Sequence, residues 1–293
     1  MYKSPLIACI VRPSMLGDCI CSLPFLNYLH NFYPNSYKLA FIDRKCQSIV
    51  PFLLNQLLID KILISEESDK ITSEENKYFE KFDLVLEPFG HIVPENWYNC
   101  RHVYHQTFLL NNLRGYGYIN PGEWNKLTKE EKIPRLNRWF DIKKNDNYIA
   151  LWPVSGYSPD APENKKRNPS LEYWLGLIDR LIKEGYKVAQ LGLPATSLDE
   201  RVLNLTHYSL FDSVKFSLGC LSISTDSGVS HLLASLGATH VCLSTYWRAG
   251  HIQCFSALLP INWNNSLLTF FDKTNINHIQ YDKIIEGIKE LNE

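Results

Sequence analysis

The residues best suited to chemistry sit in one short turn, Thr225-Asp226-Ser227-Gly228-Val229-Ser230-His231. A mostly apolar run from Leu218 to Ile223 precedes it, and Leu232, Leu233 and Leu236 follow at helical spacing up to Gly237. That order reads as strand, tight turn, helix. A helix starting there offers amides with no partner inside the helix, and its dipole favours negative charge at that end. The chemistry such a turn supports is anion binding. Asp226 can bond hydroxyl groups, the Ser227 and Gly228 amides can cradle a phosphate, and His231 can face it from one turn on. The plainer alternative is an ordinary helix cap, in which Asp226 or Ser227 satisfies the first amides. A second strand-end turn, Arg12-Pro13-Ser14-Met15-Leu16-Gly17-Asp18, places another carboxylate ahead of a helix from Cys19. Asp18 is open to two roles, proton acceptor or cap of that helix.

Both turns need strands to hold them. Pro5–Val11, Tyr37–Ile42, Lys61–Ile64 and a segment starting at Lys81 have strand length and apolar character. Ile20–Phe32, Ser48–Leu58 and Thr107–Leu113 carry helical spacing between and after them. A polar break at Asp141–Asn147 reads as a linker. Beyond it strands are expected at 147–153, 187–193, 221–224 and 240–244, and helices at 171–184, 197–205, 209–218 and 281–293. Alternation of this kind predicts an α/β protein with parallel sheets covered by helices on both faces. Two such halves predict two doubly wound domains, 1–145 and 146–293, facing a cleft, with the last helix able to pack back on the first domain. Ligands of such sheets bind at the carboxyl ends of the strands. Asp18, Glu87–His91, Ser155 and Asp226–His231 all fall at strand ends of that kind.

The 293 residues carry a formal net charge of −1, with 45% hydrophobic and 21% charged residues. This is the balance of a globular protein, and it gives no global basis for binding nucleic acid. No apolar run approaches the roughly 18 residues that span a bilayer. The first ten residues lead straight into patterned sequence without a small-residue cleavage site, so no signal peptide is expected. Eight cysteines are scattered, and Cys19 and Cys21 lack a second pair at metal spacing. Reduced thiols in the cytoplasm are the expectation, with no bound metal and no cofactor.

Four segments in order resemble the bacterial ADP-heptose:lipopolysaccharide heptosyltransferases and their relatives in glycosyltransferase family 9. Ile10–Asp18 with Leu23-Pro24 resembles the family's first strand, loop and helix. Phe82-Asp83-Leu84-Val85-Leu86-Glu87 resembles its next conserved-pattern strand, written YDLVID. Lys166-Arg167-Asn168-Pro169 is similar to its K-x-W-P motif, with asparagine where that motif has tryptophan. Thr225–Leu232 resembles its donor-binding D-[ST]-G-x-x-H-L turn. The resemblance implies a GT-B fold of two Rossmann-like domains, with acceptor on the first and nucleotide-sugar on the second. It implies metal-independent, inverting transfer, and the sequence has no Asp-x-Asp motif.

On those positions the resemblance makes Asp18 the general base. It assigns the donor to Lys166, Thr225, Asp226, Ser227, Gly228 and His231, with Ser155 and Glu200 beside them. Which of Lys165, Lys166 and Arg167 meets the phosphate stays open, and Ser155 is equally readable as a turn serine. Arg12, Ser14 and His91 are candidates for the acceptor, a glycan or glycolipid. Arg44, Arg101, Arg114, His102 and His105 are further polar groups in the same half. The implied reaction moves heptose from ADP-heptose to a lipopolysaccharide core or another surface glycan, in the cytoplasm or at the inner face of the inner membrane. Where relatives carry Gly-Pro-Thr after the next strand, this chain has Thr245-Tyr246-Trp247-Arg248-Ala249-Gly250-His251. That departure leaves the nucleotide and the sugar open. A different nucleotide-sugar, or a catalytically silent nucleotide-sugar-binding protein of the same fold, are the alternatives.

Overall fold

The computed structural model describes residues 6–11, 16–21, 23, 27, 30–31, 34–35, 37–56, 58–65, 84–86, 114–115, 128, 133–155, 167–245, 260 and 262–292. These fall into two units, Met1–Asn137 and Arg138–Glu293.

In the first unit β1 (Leu6–Val11), β2 (Tyr37–Asp43), β3 (Lys61–Ser65), β4 (Leu84–Leu86) and β5 (Arg114–Gly115) form a sheet in the order β3-β2-β1-β4-β5. All pairs are parallel except β4 with β5. Helix α1 spans Leu16–Cys21, so the Asp18 backbone lies within the helix rather than at the cap of one starting at Cys19. The single helix expected over Ser48–Leu58 is instead a 3-10 turn at Arg44–Ile49 followed by α2 (Val50–Leu54). The reason is local. Asp43 accepts the Lys45 amide and starts the 3-10 turn early, and Pro51, which has no N–H to give, fits only the first turn of an α-helix. Ile20, Leu23, Ile42, Ile49 and Phe52 are buried and form this unit's core. The helix expected at Thr107–Leu113 lies outside the described residues.

In the second unit β6 (Tyr148–Trp152), β7 (Lys187–Gln190), β8 (Leu203–Asn204), β9 (Leu221–Thr225), β10 (His240–Thr245) and β11 (Leu267–Asp272) form a sheet ordered β11-β10-β9-β6-β7-β8. Every pair is parallel. The helices are α3 (Leu171–Lys183), α4 (Leu210–Leu218), α5 (Gly228–Ser235) and α6 (Tyr281–Asn292). One sheet face presents Ile149, Leu151, Ile223, Val241 and Leu243 to Trp174, Leu177, Ile178 and Leu181 of α3 and to Ile284, Ile285 and Ile288 of α6. Each such side chain stabilises the fold by about 1.5–3 kcal/mol when fully buried. The last helix is therefore built into this unit's own core.

Three further expectations change. The helix expected over Ser197–Leu205 is a turn and the short edge strand β8, because the Asp199 carboxylate accepts the Arg201 amide and guanidinium and closes a tight turn. Gln190, fully buried, also ties this segment to β7 through the Leu198 amide at 2.7 Å. Strand β11 was not anticipated, although Leu267-Leu268-Thr269-Phe270-Phe271 has strand composition. The residues read as a linker pack on the second unit, where the Asn145 amide donates to the Gly219 carbonyl at 2.6 Å. Contacts divide the chain into the two units between Asn137 and Arg138.

Helix α5 is held at its carboxyl end by four side chains. Arg138 donates to the carbonyls of Leu236 and Gly237, each at 2.7 Å, placing a cation where the helix dipole favours one. Trp263 donates to Ser235 O and Asn264 to Gly237 O, and Asn262 reaches Ala238 O just beyond. Gly237 has φ +67°, and a Cβ there would lie 2.8 Å from the Trp263 ring and 2.9 Å from Asn264 Nδ2. Gly237→Ala should therefore cost about 2–5 kcal/mol, from left-handed backbone strain plus overpacking. A lowered urea midpoint with unchanged slope is the expected result, and an unshifted midpoint contradicts it.

Candidate functional site

In the second sheet, sequence order runs outward from β6 through β7 to β8 on one side, and from β9 through β10 to β11 on the other. The order reverses between β6 and β9, and the crevice outside the carboxyl ends of strands at such a reversal is where open α/β sheets bind ligands. Ser155 follows β6 and Asp226 follows β9. The Ser155 hydroxyl bridges the reversal, donating to the Asp226 carbonyl at 2.9 Å.

The Asp226 turn is built to launch α5. The Asp226 amide donates to Leu243 O at 2.9 Å, which continues the sheet bonding one residue past β9. Ser227 is the N-cap in extended conformation, and it forms a capping box with Ser230. The Ser230 hydroxyl accepts the Ser227 amide at 2.8 Å and donates to the Ser227 carbonyl at 2.6 Å. The box uses the amide of Ser230 and leaves those of Gly228 and Val229 for an external acceptor. Gly228 has no side chain to obstruct approach to them.

The charged groups gather at the same end. His231 Nε2 lies 3.5 Å from Asp226 Oδ1, an ion pair whenever the imidazole is protonated. Arg167 Nη2 donates to the Asp226 carbonyl at 2.7 Å and lies 4.0 Å from Asp226 Oδ2. Asp226 is only 9% exposed, so these groups act on each other with little intervening water. Asn168 makes a two-bond carboxamide pair with Ser155, accepting its amide at 2.6 Å and donating to its carbonyl at 3.1 Å. Beneath the turn, His240 of β10 is fully buried and its Nε2 lies 2.7 Å from the Ser224 hydroxyl. Burial, reinforced by the nearby His231, pushes the His240 pKa down to about 3, so the ring is neutral at physiological pH.

The structure thus brings together Ser155, Asp226, Ser227, Gly228 and His231. Ser227 is the cap, as the plainer reading of the turn has it, and the capping box does not use the Gly228 and Val229 amides. Thr225 ends β9 fully buried, and its hydroxyl has no partner among the described residues. Glu200 does not join the group. It is exposed in the turn that leads into the edge strand β8, and among the described residues nothing links it to Asp226 or Ser155. Asp18 sits in α1 after β1, and in the first sheet the order reverses between β1 and β4. Lys166, Arg12, Ser14 and His91 lie outside the described residues, as do Lys165 and 246–251. Sequence reasoning did not single out His240. The signal available was an imidazole at the head of the apolar run Val241-Cys242-Leu243.

Two units, one with a wholly parallel six-stranded sheet and a helix N-terminus at its strand reversal, define a doubly wound α/β type of fold. The particular likeness is to glycosyltransferases. The chain is similar to E. coli ADP-heptose lipopolysaccharide heptosyltransferase II, with 14% identity, a TM-score of 0.68 and coverage of 97% of this chain and 98% of that one. It is similar to the glycosyl transferase family 9 protein of Veillonella parvula, at 14% identity and TM-score 0.68, over 98% of this chain and 97% of that one. It is also similar to E. coli heptosyltransferase WaaC solved with ADP, at 12% identity and TM-score 0.61, over 98% and 99%. These establish a family 9 heptosyltransferase-like fold, as the motif resemblance implied. No family model and no curated protein matches the sequence.

Proposed function

We propose that this chain is an inverting glycosyltransferase that moves a sugar, heptose from ADP-heptose foremost, onto a lipopolysaccharide-core or other surface-glycan acceptor. The observation that carries the reading is the Asp226–His231 turn at the reversal between β6 and β9, bridged there by Ser155. An anion-accepting helix end at that point suits a diphosphate better than it suits a neutral ligand.

In this reading the acceptor hydroxyl attacks the anomeric carbon while Asp18 takes its proton. The bond from that carbon to the diphosphate oxygen breaks, and the configuration inverts. The leaving charge falls on the α5 amides, with Lys166 as a further cation. Asp226 bonds sugar or ribose hydroxyls, and His231 meets the phosphates. The second unit is the donor domain and the first the acceptor domain, with Arg12, Ser14 and His91 as acceptor contacts. The reading needs neither metal nor cofactor and involves no nucleic acid. It places the protein in the cytoplasm, within reach of a lipid-linked acceptor at the inner membrane. Among the described residues no helix is long and apolar enough to cross a membrane.

Titration calorimetry with ADP, UDP and GDP tests the reading. ADP should bind most tightly, and Asp226→Ala and His231→Ala should each weaken it about tenfold or more, the loss of a charge-assisted contact. Absence of binding to all three nucleotides overturns the proposal.

A further inference from the structure

We propose that Arg167, with Asn168, is a positioning residue that locks the Asp226 peptide, and through it the first turn of α5, in the orientation that receives a diphosphate. The inference rests on the donor-site reading above and extends it to residues that reading does not use.

The argument begins with the peptide plane. The Asp226 carbonyl and the Ser227 amide belong to one planar unit and point in opposite directions. Fixing the oxygen therefore aims the N–H. Two donors fix that oxygen, Arg167 Nη2 at 2.7 Å and the Ser155 hydroxyl at 2.9 Å. The aimed Ser227 amide then meets the Ser230 hydroxyl at 2.8 Å, which completes the capping box from which the α5 amides project.

Asn168 keeps the two donors in register. Its carboxamide pairs with both backbone groups of Ser155, as a neighbouring strand would. This joins the chain leaving β6 to the chain entering α3, where Ser170 caps the helix by accepting the Tyr173 amide. Arg167 and Ser155 thus reach Asp226 from two segments tied to each other. A side chain with both a donor and an acceptor on one planar head is needed for that pair, and an indole offers a donor only. Asparagine at this position is thereby explained by what it holds.

The charge balance points the same way. A cation at the amino end of a helix is opposed by the helix dipole. Arg167 is kept there by its bond to the carbonyl and by the Asp226 carboxylate at 4.0 Å, and its side chain remains 21% exposed. An anion arriving at α5 would relieve the opposition between cation and dipole.

The test pairs two readouts on the full chain, amide hydrogen exchange over 227–231 and ADP affinity by calorimetry, for Arg167→Gln, Arg167→Lys and Asn168→Ala. Arg167→Gln should speed exchange at the bonded amides of Ser227, Ser230 and His231 about tenfold, the loss of one charge-assisted bond, while exchange within β9 stays unchanged. ADP affinity should fall by a similar factor and adenosine affinity should not. Arg167→Lys should restore part of both, since an ammonium can reach the carbonyl but lacks the planar fork. Asn168→Ala should loosen the same amides and serves where Arg167→Gln fails to fold. Unchanged exchange at 227–231 in both Arg167→Gln and Asn168→Ala overturns the proposal. Failure of the unaltered chain to bind ADP, UDP or GDP overturns the donor-site reading instead, and the exchange data still decide whether the clasp exists.

Discussion

Lowering the pH from 7.5 to 4.5 should destabilise the second unit steeply, and His240→Gln should remove most of that slope. His240 is 0% exposed, its Nε2 faces Ser224, and its Nδ1 has no partner among the described residues. The folded protein has nowhere to put a second ring proton. Burial first, and the charge of His231 second, hold the folded pKa at about 3 against 6.5 for a free histidine. A depressed histidine pKa means that the unfolded chain binds a proton which the native state refuses. Stability is then complete above the unfolded value and is lost as the pH falls from 6.5 towards 3. The slope within that window approaches about 1.4 kcal/mol per pH unit. Asp199 and Asp272, each held at about 2 by hydrogen bonds, lose their contributions only below the ordinary carboxylate value of 3.8, so the two acid effects separate by pH. Glutamine at 240 keeps a polar head for Ser224 and cannot titrate. Urea midpoints measured from pH 7.5 to 4.5 give the answer. A flat profile in the unaltered protein would sink the assignment, as would an equally steep one in His240→Gln.

Asp18→Ala should lower turnover of the donor by about 10²–10⁴-fold, the range typical of a lost general base. On the proposed transfer the acceptor hydroxyl holds its proton, and its attack on the anomeric carbon would need a carboxylate to receive that proton. The reading rests on the backbone position of Asp18. It lies in α1 directly after β1, beside the β1–β4 reversal of the first sheet, just as Asp226 follows β9 beside the reversal of the second. Its placement within the helix rather than at the cap also separates the two roles open to it. A cap would be lost in stability, by about 1 kcal/mol. A base would be lost in turnover with KM and the urea midpoint little changed. Full turnover in Asp18→Ala overturns the base assignment. A drop confined to stability points to a structural role within α1 instead.

The candidate site was legible where chemistry is local. Ser227 as cap, Gly228 as the open approach and a helix ending at Gly237 follow from residue type and spacing, because caps and turns are short-range devices. Ser170 as the cap of α3 belongs to the same class. Errors cluster where a particular side-chain partner outweighs the spacing pattern. Residues 197–205 have helical spacing, yet the Gln190 side chain and the Asp199–Arg201 turn carry them into an edge strand. Residues 141–147 are polar, yet the Asn145 amide finds a partner in the Gly219 carbonyl of the second unit.

By itself the sequence determined an α/β protein with parallel sheets, the strand–turn–helix around Asp226, and a motif order resembling one transferase family. Period and punctuation are enough for these, since each depends on neighbours a few residues apart. Only the tertiary structure decided which strands adjoin, and so that β6 and β9 flank the reversal and bring Ser155 to Asp226 across 71 positions of chain. Only it set Arg167 and Asn168 against the turn, left Glu200 elsewhere and sealed His240 beneath. Strand order is fixed by how whole sheets bury their faces, and no local pattern encodes that choice.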